Sequence, residues 1–235
     1  MADTNFLGFN NFIWFTGVVE DRQDPFLLGR VRVRCVGIHT HDKEVLPTKD
    51  LPWAQVILPV TSPGISGLGH SPSFLVEGSW VFGYFRDGES CQEPCVIGSI
   101  PGVPAEKPDG TSGFADPKGI YPKDIEVSDV NLLATVTDIH PHLQSRMDAV
   151  ITGIPTADFN STTNADGGVI IGSPATTWDQ PAPAYAAIYP YNHVYESESG
   201  HIFEIDDSVG TERIYQSHRK GTSYEIDAAG NIVYL

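Results

Sequence analysis

Residues 29–38 read GRVRVRCVGI, and this stretch decides the fold of the first part of the chain. Three apolar side chains alternate with three arginines along it. The apolar residues are Val31, Val33 and Cys35, and the arginines are Arg30, Arg32 and Arg34. Successive side chains of a strand point to opposite faces. The alternation therefore predicts a β-strand with its apolar side chains in a core and its arginines on the other face.

Four further strand-like runs lie within the first hundred residues. They are IWFTGVVE (13–20), WAQVILPV (53–60), SWVFGYFR (79–86) and PCVIGSI (94–100). Connections rich in Gly, Pro and Ser separate them, and no helical period lies between them, which argues against βαβ units. Five short strands with one long irregular connection predict a small barrel of the oligonucleotide/oligosaccharide-binding (OB) type. We place this barrel at residues 13–101, after an N-terminal arm at residues 1–12.

The 235 residues carry 14 Lys and Arg against 30 Asp and Glu, a formal net charge of −16. Nucleic-acid binding depends on cations that neutralise phosphates, so this balance argues against a general DNA- or RNA-binding protein. The 23 glycines and 18 prolines argue against a helical bundle, because both residues are unfavourable inside helices. The hydrophobic content of 40% is sufficient for a buried core.

The cysteines and the N-terminus indicate neither a metal site nor a targeting signal. Three cysteines cannot form a disulfide framework, and Cys91 and Cys95 have no second close pair that would complete a zinc site. Asp3 stands where a signal peptide carries basic residues, and no apolar run approaches the roughly 20 residues of a membrane helix. We expect no metal, no cofactor and no membrane helix.

Four arginines, Arg22, Arg30, Arg32 and Arg34, lie close together at the second strand. They allow three interpretations: a nucleic-acid groove on the barrel, donors for acidic patches on a neighbouring subunit, or a solvated strand face. The net charge weighs against the first. We favour the second, which makes the four arginines candidate interface residues.

Residues 102–190 are predicted to form an extended strap. Eleven of the 18 prolines lie between Pro101 and Pro190, and proline removes hydrogen-bond donors and fixes φ. One or two short helices are expected near residues 129–135 and 141–150. The stretch PATTWDQPAPAYAAIYPY is also expected to lie along a surface. Its four aromatic residues are further candidate interface residues: Trp178, Tyr185, Tyr189 and Tyr191.

The sequence changes to a period of two over residues 191–235. The runs are HVYESES, HIFEIDD, ERIYQSH, TSYEID and NIVYL, divided by Gly200, Gly210, Gly221 and Gly230. Each run is predicted to be a strand and each glycine a turn. We do not expect a small sheet of this kind to be stable alone, and three identical chains wound together would provide the missing partners.

Long stretches at both ends of the chain resemble one family. They are WFTGVVEDRQDPFLLGRVRVRCVGIH (14–39), LPWAQVILPVTSPGISGLG (51–69), FLVEGSWVFGYFRDG (74–88), VIGSIPG (96–102), GFADPKGIYPK (113–123) and residues 178–231. The first five resemble the barrel domain and linker of the central spike protein of contractile phage tails. The last resembles the start of that family's trimeric β-helix. Spike proteins of the type VI secretion system are similar in plan.

The resemblance implies a structural role and a set of partners. The chain would form a homotrimer that sits on a baseplate hub protein in the virion tail, after assembly in the host cytoplasm. A needle below the barrels would carry a separate tip protein and contact the host outer envelope transiently during sheath contraction. The net charge argues against a nucleic-acid partner.

Two departures from the family pattern lead to further expectations. The interval between GIYPK and WDQPAP is too short for the lysozyme domain that some members carry, so we expect no enzymatic activity. The terminal runs are few, and the glycine intervals resemble the collar where a needle begins. They indicate a short needle capped by another protein, or a truncated one. The alternatives are an OB module that binds single-stranded nucleic acid or glycan, and an envelope-degrading enzyme that uses the middle segment.

Smaller motifs support no catalytic or metal site. The His-x-His pairs at residues 39–41 and 140–142 stand in turn-like contexts and are expected at the surface. Glu204, Asp206 and Asp207 lack the spacing of a calcium loop. We expect them to cap a turn or pair with Arg213.

Overall fold

The computed structural model describes residues 5–6, 9–10, 13–106, 119–135, 141–148, 154–156, 176–178 and 181–235. The chain divides into two compact units, Met1–Asp129 and Val130–Leu235. Each unit has its own sheet, and each is described separately below.

The first unit is built on a closed five-stranded barrel. Its strands are β3 (Ile13–Asp21), β4 (Val31–Cys35), β5 (Trp53–Val56), β6 (Trp80–Phe85) and β7 (Pro94–Ser99). They follow the order β3-β4-β5-β7-β6, and β6 pairs with β3 to close the barrel. All neighbouring strands are antiparallel except β5 and β7, which run parallel. The predictions of a mainly β chain and of a closed barrel from five runs are confirmed.

The barrel core is formed by the inward positions of these strands. Val31, Val33 and Cys35 are all buried in it, as the alternation predicts. Gly83 allows a close approach of β6 and β7, because a Cβ there would meet the Cys95 carbonyl oxygen and the Phe15 ring. The register of the two strands shifts between Phe82 and Gly83 at this point. Burial raises the pKa of the Cys35 thiol to about 12.

Short elements accompany the barrel. A two-stranded pair, β1 (Asn5–Phe6) and β2 (Phe9–Asn10), precedes it. Single 3₁₀ turns stand at Thr48–Asp50 and Gly88–Ser90.

In its described residues, the second unit contains two helices and two sheets. The helices are α1 (Leu132–Thr135) and α2 (Pro141–Asp148), which lie in the two stretches where the sequence favours them. In α2, Leu143 is buried and Met147 is exposed. β8 (Ile154–Thr156) pairs with β9 (Thr176–Trp178).

The terminal sheet is an antiparallel meander of five strands. They are β10 (Asn192–Glu196), β11 (Ile202–Asp206), β12 (Arg213–Ser217), β13 (Ser223–Ile226) and β14 (Ile232–Tyr234). Gly200, Gly210, Gly221 and Gly230 fall in the four connections, each with a φ between 82° and 97°. Only glycine adopts this backbone region easily, so the prediction that each run is a strand and each glycine a turn is confirmed.

No helix in the described part of the chain is long and apolar enough to cross a membrane.

Candidate assembly surfaces

The last of the four candidate arginines, Arg34, points into the first unit. The Arg34 and Glu20 side chains are both fully buried. Arg34 Nε donates to Glu20 Oε1 at 2.8 Å and Nη2 donates to Oε2 at 3.1 Å. The guanidinium also donates to the carbonyl oxygens of Thr40 and Leu46, and the Thr48 hydroxyl donates to the same carboxylate. Arg34 therefore fastens the β4–β5 connection to strand β3.

Arg32 also binds the β4–β5 connection. Its guanidinium donates to the carbonyl oxygens of Thr48, Lys49 and Leu51 and lies 4.4 Å from the centroid of the Trp53 ring. These contacts hold the chain against the barrel where strand β5 begins.

Arg22 and Arg30, in the connection between β3 and β4, each pair with a carboxylate. Arg30 forms a bidentate ion pair with Asp24, in which Nη2 donates to Oδ1 at 2.7 Å and Nε donates to Oδ2 at 3.0 Å. Arg22 Nε lies 3.2 Å from Glu77 Oε2. The Arg30 guanidinium holds the pKa of Asp24 well below its ordinary value.

The first unit thus uses its arginine row on its own carboxylates and carbonyl groups. A groove that binds phosphates needs cations that face solvent, so the nucleic-acid alternative is not favoured. The interface role of Arg22, Arg30 and Arg32 stays a prediction. Arg34 has no exposed surface in the chain to offer a partner.

The terminal sheet buries charge on one face. Arg213 lies between Glu204 and Glu225, pairing with Glu225 Oε2 at 2.8 Å and also with Glu204 Oε1. Asn192 Nδ2 donates to Glu204 Oε1 at 2.7 Å. The ring centroids of Tyr185 and Tyr215 lie 5.1 and 4.9 Å from Arg213 Cζ. Both rings therefore lie within cation–π distance of the guanidinium.

The segment before β10 covers this charged face. The Tyr185 hydroxyl donates to the Leu133 carbonyl oxygen at 2.5 Å. The backbone N–H of Ala184 donates to Glu225, and that of Ile188 donates to the Ser208 hydroxyl. Burial raises the pKa of Tyr185 to about 12 and also raises the pKa of Glu204, which Arg213 only partly offsets.

The opposite face of the terminal sheet is apolar and exposed. Direct cross-strand partners share a face, and Ile205 lies opposite Ile214, while Phe203 lies opposite Gln216 and beside Tyr195. The large side chains on this face are between 39% and 76% exposed: Tyr195, Phe203, Ile205, Ile214, Ile232 and Tyr234. A sheet in water ordinarily buries its apolar face and exposes its charged one. This sheet has the reverse arrangement for its charged side chains, which are buried beside Ile202 and Tyr215.

The other aromatic candidates occupy different surroundings. Tyr189 and Tyr191 are more than half exposed. Trp178 ends strand β9, and its side chain lies outside the described residues. Tyr185 is the member of the set that packs inside the second unit. The interface role of all four stays a prediction.

The acidic and histidine motifs have structural contacts. Asp206 Oδ1 accepts the N–H of Ser208, and Glu204 pairs with Arg213, so the predicted turn cap and ion pair are confirmed. His39 is half-buried, and its Nδ1 accepts the N–H of Cys35 at 3.0 Å. Burial lowers its pKa. His140 and the side chain of His142 lie outside the described residues.

Comparison with known proteins decides the family. The family described as the Gp5 N-terminal OB domain matches residues 37–176, which is more than half of the chain. A protein named Gp5 from Vibrio phage KVP40 is 38% identical over 258 aligned residues that cover 97% of this chain. The chain belongs to the Gp5 family of phage central spike proteins.

The name of a second relative states its role. The pre-baseplate central spike protein Gp5 of Enterobacteria phage T4 is 46% identical over 129 residues, or 53% of this chain. The chain spans 58% of the length of the Vibrio phage Gp5 and 22% of the T4 Gp5. Neither name describes an enzyme.

The structure exposes two apolar surfaces that were not predicted from the sequence. The apolar face of the terminal sheet was one of them, although the run HIFEIDD places apolar side chains on both faces of its strand. A strand that is apolar on both faces needs a partner on each of them. The apolar run FLL at residues 26–28 was the other. It gave a signal too, because large apolar residues are unusual inside a turn.

Proposed function

We propose that this chain is a structural subunit of the central spike of a contractile phage tail baseplate. Family membership and the printed name of the T4 relative support this role. The chain would then be located in the tail baseplate of the virion.

The observation that carries the proposal is the reversed terminal sheet. Its charged face is covered by the chain's own residues, whereas the face with Phe203, Ile205 and Ile214 is exposed. An exposed contiguous apolar surface marks an interaction site. Two further copies of the same chain would cover this face in a homotrimer and give an intertwined β-prism.

A rod of this kind would act mechanically. Antiparallel strands hydrogen-bond along their whole length, and apolar faces packed around an axis resist bending because interiors are close-packed. The barrel would dock on the baseplate hub, and the terminal strands would continue towards a separate tip protein. Sheath contraction would then push the rod through the outer envelope of the host.

The proposal assigns no muralytic activity to this chain. Residues 124–177, between the motifs GIYPK and WDQPAP, are too few for a lysozyme domain and a linker together. Zymography of the purified full chain on peptidoglycan tests this, with no clearing expected. Clearing that follows the purified chain would overturn this part of the proposal.

Sedimentation equilibrium of the full chain tests the trimer. We expect three times the mass of the 25.6 kDa chain. The double variant Ile205→Thr and Ile214→Thr keeps β-branched residues in the strands but removes apolar surface, and it should dissociate. The control Val209→Ser removes an exposed apolar side chain between β11 and β12 and should stay trimeric. A stable wild-type monomer at micromolar concentration would refute the assembly.

A further inference from the structure

The buried face of the terminal sheet carries more negative than positive charge. The buried charged residues in the described part of the second unit are Glu204, Asp206, Arg213 and Glu225, each at most 3% exposed. Three negative charges and one positive charge leave a formal net charge of −2. Buried charges in proteins are paired or coordinate metals, because an isolated ion loses its hydration on burial. The described residues of this face therefore leave charge that Arg213 alone does not neutralise.

Arg213 divides its ion pairs between two of the three carboxylates. It pairs with Glu204 Oε1 and with Glu225 Oε2, the latter at 2.8 Å. Asp206 lies directly opposite Arg213 in the register of β11 and β12. Its Oδ1 accepts the N–H of Ser208 at 2.9 Å, whereas its Oδ2 has no hydrogen-bond partner among the described residues. The excess negative charge is therefore concentrated at Glu204 and Asp206.

Three buried oxygen atoms at this place accept no hydrogen bond from the residues that the structure describes. They are Glu204 Oε2, Asp206 Oδ2 and Asn192 Oδ1. The three side chains share one face, because Glu204 and Asp206 are two residues apart in β11 and Asn192 is the direct partner of Asp206 in β10. Asn192 Nδ2 donates to Glu204 Oε1 at 2.7 Å and to the Leu133 carbonyl oxygen at 2.9 Å. Since both hydrogens of this amide are used, its oxygen is the atom that can bind a ligand.

The chemistry of these atoms selects the kind of ligand. Two carboxylate oxygens and one amide oxygen are hard donors, which suit Mg²⁺ or Ca²⁺, whereas zinc prefers nitrogen and sulfur. Ca²⁺ takes about six to eight oxygen ligands in a flexible geometry and accepts water among them. Mg²⁺ demands a nearly ideal octahedron, which side chains fixed on two neighbouring strands are less able to provide. The donor set therefore favours Ca²⁺.

We infer that Glu204, Asp206 and Asn192 form a calcium-binding site on the buried face of the terminal sheet. The described residues hold no group of three His, Cys, Asp or Glu side chains suited to a metal ion, so the amide oxygen and water molecules complete the coordination. Spacing along the chain does not predict this site, because Asn192 lies twelve residues before Glu204. The bound ion joins β10 to β11 within one chain, and the inference does not depend on the proposed spike role.

Equilibrium urea denaturation of the full chain tests the site, in millimolar CaCl₂ or in EGTA with NaCl of equal ionic strength, near neutral pH. Unfolding opens the buried face, so the result does not depend on entry of the ion into the folded chain. Ca²⁺ should raise the urea midpoint by about 0.5 M, the shift that a tenfold excess over the dissociation constant gives for a chain of this size. Equilibrium dialysis should show one bound Ca²⁺ per chain.

Two neighbouring aspartates provide the variant and its matched control. Asp206→Asn removes one ligand charge but keeps a side-chain oxygen for the N–H of Ser208, so the chain should still fold. Its calcium-dependent shift of the urea midpoint should disappear, since loss of a charged ligand weakens binding by roughly tenfold or more. Asp207→Asn removes the same charge from a side chain that is 66% exposed, and it should keep the whole shift. Circular dichroism in EGTA should be the same for both variants and the wild type.

A proton on Glu204 is the alternative source of positive charge, because burial raises the pKa of this carboxyl. In that case the wild type has the same urea midpoint in CaCl₂ and in EGTA, and the calcium site is refuted. An equal shift with MgCl₂ would overturn the assignment to Ca²⁺. Loss of the shift in Asp207→Asn, with the shift retained in Asp206→Asn, would place the ion on the exposed side of the sheet and overturn the site. The spike role is tested separately, by the sedimentation experiment.

Discussion

Replacement of Arg34 by methionine should destabilise the barrel severely. The substitution keeps much of the apolar volume of the side chain but leaves the carboxylate of Glu20 without its guanidinium partner. Both side chains are fully buried, and two charge-assisted hydrogen bonds of 2.8 and 3.1 Å join them. Loss of one partner of a buried ion pair costs about 3–5 kcal/mol, because the other charge stays buried and uncompensated.

The surroundings of the pair place the expected loss within this range. The Thr48 hydroxyl still donates to Glu20, and Lys43 Nζ lies 3.8 Å from Oε1, so the carboxylate keeps some stabilisation. The carbonyl oxygens of Thr40 and Leu46 lose their donor, but both residues are half-buried and water can replace it. We therefore expect a loss of about 4 kcal/mol in the free energy of unfolding.

Urea denaturation of the full chain, followed by tryptophan fluorescence, measures this loss. Arg86→Met is the matched control, because Arg86 pairs with Glu93 at 3.0 Å with both side chains about half exposed. Such pairs contribute about 1 kcal/mol or less. The double variant Glu20→Leu and Arg34→Met removes both charges and should recover at least half of the loss, about 2 kcal/mol. If Arg34→Met costs no more than Arg86→Met, the buried pair does not stabilise the barrel as argued.

Three further predictions concern single positions. Gly83→Ala should destabilise the barrel by about 1–3 kcal/mol, since its Cβ would overlap the Cys95 carbonyl and the Phe15 ring, whereas Gly98→Ala, with open space around it, should be nearly neutral in the same urea titration. Burial raises the pKa of Glu204, so the folded state binds its proton more tightly than the unfolded state. The wild type should therefore lose thermal stability relative to Glu204→Gln as the pH rises above about 4.5, and parallel melting curves would contradict this. The pH dependence from Asp24 has the opposite sign, because the pKa of this carboxyl is lower in the folded state than in the unfolded state. The ionised Asp24 stabilises the fold above about pH 4, so the wild type should lose stability relative to Asp24→Asn as the pH falls below about 4.

The sequence was sufficient to locate the strands of the barrel and of the terminal sheet. Alternation at residues 29–38 gave the inward Val31, Val33 and Cys35, and spaced glycines gave the turns of the terminal meander. These features are local, because side-chain direction repeats every two residues and a turn needs a few adjacent residues. The barrel could be predicted for the same reason.

The partners of the arginines could not be predicted in the same way. Arg34 finds Glu20 across the β3–β4 pair, and Arg32 finds carbonyl oxygens between 16 and 19 residues away. Backbone carbonyls leave no trace in the sequence, and a carboxylate fourteen positions away is one of many. The alternation correctly separates the arginines from the core, but it does not say whether the opposite side of the strand is solvent or a folded connection.

The arrangement of the terminal sheet has a physical consequence for how copies could recognise each other. Arg213, Glu204 and Glu225 pair with one another and are buried within one chain, so their ion pairs do not face another copy. The outward face is mostly apolar, with His193 and Gln216 among its side chains, and apolar contact is non-directional. Register between copies must then come from shape, from the interdigitation of Phe203, Ile205 and Ile214 with their counterparts. A single extra methylene matters in such packing. Exchange of Ile205 and Ile214 for leucine would preserve hydrophobicity and change shape, so a loss of trimer under that exchange would identify packing geometry as the basis of assembly.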